Sequence, residues 1–106
     1  MTELTDREML LGEALQVAAG EGYTDLVPLL LGAGADANYC SPSDEFRMTP
    51  IVGMIFENSF LPAHAGIARL LLEAGLDLRH VSNEWTAYEY ARHYERHDLM
   101  PLLMPA

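Results

Sequence analysis

The chain has no lysine: all six of its basic residues are arginine, against 16 aspartates and glutamates, for a net charge of −10. So negative a surface repels phosphate backbones and anionic bilayers, which excludes nucleic acid and acidic membranes as expected partners. A single cysteine, Cys40, rules out an intramolecular disulfide and a cysteine-based zinc cluster, and a reducing, cytoplasmic setting is expected. No apolar run approaches the roughly 20 residues that span a bilayer. The opening residues, MTELTDREMLLGEAL, place acids where a secretory signal needs basic residues, so no such signal is expected. Neither a P-loop nor G-x-S-x-G occurs, and no pair of carboxylates suggests acid–base catalysis. What the chain does have is apolar content: 50% hydrophobic and 21% charged residues over 106 positions predict one folded domain, 1–106, and exclude disorder.

Self-similarity organises that domain. LVPLLLGAGAD (26–36) returns as IARLLLEAGLD (67–77), 41 positions further on, and more weakly as LMPLLMPA (99–106). Each run has a helical partner upstream: EALQVAAGEG (13–22), TPIVGMIFEN (49–58) and TAYEYARHYE (86–95). Thr5 with Glu8, and Thr86 with Glu89, have capping-box spacing, so helices are expected to begin at both. The first should run to about Ala19 and stop at Gly20 and Gly22, and Thr24 or Asp25 should cap the second. Thr49-Pro50 reads as N-cap then first helical residue, with Pro62 in the same role for the fourth helix. Gly32, Gly34 and Gly75 close the second and fourth helices. Leu30 and Leu71, each central in a triple-leucine run, are expected to be equivalent core positions. No alternating stretch is long enough to predict a sheet.

Thr49-Pro50-Ile51, Leu29-Leu30-Leu31 followed by Gly34-Ala35-Asp36-Ala37-Asn38, and Leu70-Leu71-Leu72 followed by Gly75-Leu76-Asp77 resemble the ankyrin repeat, a turn and two helices of about 33 residues. The resemblance implies an all-α fold: an ankyrin-type helix-turn-helix solenoid of three stacked helix pairs, with repeats at about 6–38, 39–79 and 80–106. Two connections, 39–48 and 58–66, are longer than the family pattern. Glu95 stands where glycine is usual, and Arg92 where alanine is.

The resemblance also implies a binding surface made of inter-repeat turns and the outer side of each first helix. On that surface fall Phe46, Arg47 and Met48, then Phe56 and Glu57, then Arg79, Glu84 and Trp85, and finally His93 and Tyr94. Trp, Tyr, Met and Arg are enriched at interface hot spots. The expected function is a non-catalytic protein-binding module, monomeric or weakly oligomeric, with no cofactor and a basic protein as partner. The alternative is a small acidic inhibitor or immunity-type protein blocking a basic site on a toxin or enzyme. A metal-binding protein or enzyme is the reading of a different class. It would draw on Glu89, His93 and His97, which the repeat alignment divides between two elements. Gly32-Ala33-Gly34 fits a dinucleotide loop only formally, because Pro42 denies it the helix that must follow. Cys40 has no histidine near it in sequence.

Overall fold

The computed structural model of the protein describes residues 4–56 and 61–105. Among them are six helices and one short hairpin: α1 Asp6–Glu21, α2 Leu26–Gly32, α3 Pro50–Phe56, α4 Ala63–Glu73, β1 Val81–Ser82, β2 Trp85–Thr86, α5 Ala87–His93 and α6 Met100–Leu103. The chain is mostly helical, as its patterning predicts, with one addition. β1 and β2 pair antiparallel, Val81 with Thr86 and Ser82 with Trp85.

Both capping boxes form. The Thr5 hydroxyl accepts from Glu8 N (3.1 Å) while Glu8 Oε1 accepts from Thr5 N (3.0 Å), and these bonds hold the Glu8 carboxyl below its ordinary pKa. Thr86 and Glu89 repeat the arrangement at α5. α1 runs past Gly20, which is buried inside it, and ends at Gly22, left-handed at φ 79°. Thr24 and Asp25 do not cap α2 through their side chains; the Thr24 hydroxyl instead donates to Gly22 O at 3.4 Å. α3 begins at Pro50 as expected, whereas Pro62 lies just outside α4. At Gly12, mid-helix in α1, any Cβ would run into the ring of Tyr39. Glycine here loses some helix propensity and gains close approach of the 39–48 connection.

Local geometry recurs along the chain. Ala35 N bonds Leu30 O and Leu76 N bonds Leu71 O, both at 3.0 Å. Asp36 Oδ1 accepts from Asn38 N, and Asp77 Oδ1 from Arg79 N. After α1 and after α5 the same turn closes with Tyr23 N on Ala18 O and Arg96 N on Ala91 O. Glu95 fills the position of Gly22 in that turn and accepts φ 55°, a region that disfavours a side chain.

α1 packs on α2 and α3, α3 on α4 and α5, α2 on α4, and α5 on α6. Leu15, Ile51, Met54, Ile67, Leu71, Leu99 and Leu103 are fully buried between them. A polar joint ties α1 and α4 to the connection between α5 and α6. Buried His64 in α4 donates through Nε2 to Gly20 O of α1 (3.1 Å) and faces Arg96 Nη2 through Nδ1 (3.2 Å), while Arg96 pairs with Asp98 at 3.1 Å. A carbonyl can only accept, so the imidazole proton lies on Nε2, and Nδ1 accepts from the guanidinium. A buried arginine needs this kind of compensation.

The equivalence of Leu30 and Leu71 is not realised. Leu71 is fully enclosed because α4 has α1, α2 and α3 as neighbours. Leu30 lies on α2, which packs mainly against α1 and α4, and is half-buried. Leu71→Ala should therefore cost about 2–5 kcal/mol, and Leu30→Ala clearly less. Chemical denaturation of the two variants checks this; equal losses would contradict the asymmetry.

Candidate functional site

The hairpin is the element that gathers the candidate residues. Its two-residue turn, Asn83-Glu84, has φ 48° and 80°, the left-handed pair of a type I′ connection. β1 is pinned on both sides of Ser82: its hydroxyl donates to Arg47 O at 2.7 Å, and its carbonyl accepts from Tyr90 Oη at 2.7 Å. Burial, with Tyr94 adding a smaller effect, pushes the Tyr90 phenol above its ordinary pKa, which keeps the donated proton in place.

Tyr90 is then the hinge of five joined rings. Its ring centroid lies 5.2 Å from Phe56 and 5.2 Å from Trp85. Tyr94 stands 5.4 Å from Phe56, and His93 stands 5.0 Å from both Trp85 and Tyr94. The tilted and edge-on arrangements suit the ring quadrupoles. Tyr90 is buried, but Trp85, Phe56 and Tyr94 remain 36%, 40% and 44% exposed. A hollow of about 240 Å³ beside them is lined by Trp85, Glu89, Arg92 and His93.

The structure thus brings together Phe56, Trp85, His93 and Tyr94. It does not join Phe46 to them; that ring is 47% exposed and absent from the ring contacts. Met48 is half-buried against the core, its N–H donating to Asp44 Oδ2 and its carbonyl accepting from Gln16 Nε2. Arg79 and Glu84 are exposed, and Glu57 lies outside the described residues. Arg47 serves through its backbone: its carbonyl accepts from Ser82 Oγ, His80 Nε2 (3.0 Å) and the Cys40 thiol (3.3 Å). Tyr90, the residue that holds the group together, was not among the expected positions; the helical spacing of Ala87, Tyr90, Ala91 and Tyr94 is the signal that could have found it.

A second hollow, about 330 Å³, opens between α1 and α3 and is lined in part by Glu13, Val17, Glu21, Asp44, Met48 and Gly53. Gly53 and Phe56 are three apart on α3, hence on one helix face, and Val17 is 60% exposed.

Cys40 does acquire a histidine in space, His80, with Nε2 3.7 Å from its sulfur. The same nitrogen bonds Arg47 O, so it carries a proton and cannot serve as the thiol's base. Burial raises the Cys40 pKa, with Asp44 and Asp36 adding to it against Arg47. Among the described residues, no group of three or more His, Cys, Asp or Glu could hold a metal ion. His97 lies beyond the end of α5, in the turn that precedes α6, off the helix that carries Glu89 and His93. Gly32 ends a helix and Gly34 turns the chain, so no strand precedes them. No helix among the described residues is long and apolar enough to cross a membrane.

No protein-family model matches the chain, and the comparison with curated proteins gave no match.

A thiol with a raised pKa offers less thiolate to an electrophile. At about pH 8, Cys40 of the folded protein should react with a disulfide reagent more slowly than in the unfolded chain. Equal rates would show that the thiol is not held as described.

Proposed function

We propose that the chain is an ankyrin-type repeat protein: three helix-turn-helix units, about 6–38, 39–79 and 80–106, stacked as a short solenoid. Its role is to bind a protein partner without catalysis, through the face that carries Phe56, Trp85, His93 and Tyr94. The recurrence of the post-helix turn at Leu30–Ala35 and Leu71–Leu76, and of the inter-helix turn at Ala18–Tyr23 and Ala91–Arg96, supports the repeat reading.

The observation that carries the function is the exposed aromatic group. Packing alone would bury these rings, yet three of them keep 36–44% of their surface in water while held by ring contacts, Phe56 against Tyr94 and Trp85 against Tyr90 and His93. Rigid aromatic rings offer large contact area at little entropic cost, which is why Trp and Tyr dominate hot spots. Trp85 is also secured by the Ser82 and Tyr90 bonds, so a partner would meet a preformed surface.

The test uses tagged protein, its partner captured from the native cell extract and identified by mass spectrometry, then purified for titration. Trp85→Ala and Phe56→Ala should each weaken that partner's binding by more than about 2 kcal/mol. Denaturation of the same variants should show a smaller loss of stability. Wild-type affinity in both folded variants would remove this face as the binding surface.

A further inference from the structure

Two of the exposed rings have an exposed glutamate as immediate chain neighbour: Glu84 before Trp85 and Glu95 after Tyr94. The adjoining hollow between α1 and α3 has Glu13, Glu21 and Asp44 in its lining and no cation, with Val17 and Met48 supplying apolar surface. In the hollow beside Trp85, Glu89 and Arg92 oppose one another in charge. The face therefore combines aromatic and aliphatic ground with a surplus of carboxylates, on a protein of net charge −10.

Resting on the reading of this face as the binding surface, we infer that its occupant is an extended cationic segment of the partner, rich in arginine or lysine. A guanidinium can stack on the exposed rings of Trp85 and Phe56 while pairing with the carboxylates around them. The aliphatic stems of such side chains suit Val17 and Met48. A second copy of this chain does not fit, because two surfaces of the same strong negative charge repel. The molecule measures 36 × 30 × 26 Å, and roughly ten extended residues span about 33 Å, enough to cross from α1 to Trp85.

Two of the neighbouring glutamates occupy backbone that glycine would adopt without strain, Glu84 at φ 80° and Glu95 at φ 55°. This gives the proposal a test in which stability and binding move in opposite directions.

Trp85 is the only tryptophan, so its fluorescence reports on the face directly. The probes are three synthetic decapeptides in which glycine alternates with arginine, with the neutral isostere citrulline, or with glutamate. The arginine peptide should change Trp85 emission saturably, and its midpoint should rise about threefold or more between about 50 mM and about 300 mM salt. The Glu13→Gln/Glu21→Gln double variant should weaken it by about threefold or more. Arg92→Gln, which removes the like charge beside Trp85, should tighten it. Glu84→Gly and Glu95→Gly should raise the melting temperature and weaken the peptide. Saturable binding of the citrulline or glutamate peptide as tight as that of the arginine peptide would overturn the cationic assignment while leaving the face intact. No saturable response to the arginine peptide would overturn it as well, and the captured partner's dependence on Trp85 and Phe56 would still judge the face independently.

Discussion

The fold's exposed face depends on one backbone carbonyl. Arg47 O accepts from Ser82 Oγ, His80 Nε2 and the Cys40 thiol at 2.7, 3.0 and 3.3 Å. It can do so because Arg47 is turned into the left-handed region at φ 57°. Two long connections with little regular structure are thereby joined side by side. Ser82, held from below, in turn offers its own carbonyl to Tyr90, and Tyr90 carries Trp85 and Phe56. Asn38 makes a parallel tie: its amide donates to Gly75 O and its oxygen accepts from Asp77 N at 2.7 Å. Satisfied polar groups of this kind fix relative placement in a way that apolar contact alone does not.

The same bonds decide what Cys40 and His80 are for. In another setting the two side chains would form a nucleophile and its base. Here both point donors at the same carbonyl, and burial keeps the thiol protonated. Their contribution is to the joint. Stability rests on the interior: the apolar core and the His64–Arg96–Asp98 link hold the helices together, while the rings of Phe56, Trp85 and Tyr94 stay partly exposed at the surface.

Helix starts were legible wherever a side chain does the capping, at Thr5–Glu8 and Thr86–Glu89, and wherever proline marks a first turn, at Pro50. Turns that need left-handed backbone were legible where glycine supplies it, as at Gly34 and Gly75. The hairpin was not. Two residues per strand cannot establish an alternation, and its turn is Asn-Glu where Asn-Gly is the usual signal. Leu30 and Leu71 have near-identical local sequence but different neighbours, and burial is a property of neighbours. Four of the candidate site residues converged on one cluster because α3 packs on α5 and the hairpin sets Trp85 against Tyr90 and His93. Phe46 and Met48 did not, since the connection that carries them folds back on Asp44, whose carboxylate accepts from Phe46 N and Met48 N. Long-range polar partners, His64 with Arg96 or Cys40 with His80, leave no local trace at all.

The central claim is that the Ser82–Arg47 bond places the aromatic face. Hydrogen–deuterium exchange on Ser82→Ala, compared with the native chain, tests it most directly. The variant keeps the Ser82 carbonyl for Tyr90 and removes only the hydroxyl that reaches Arg47. The account predicts faster exchange confined to residues 39–48 and 80–86, with a shift in Trp85 emission and unchanged protection in α1 and α4. Unaltered exchange in those two connections, or a uniform loss across every helix, would contradict it.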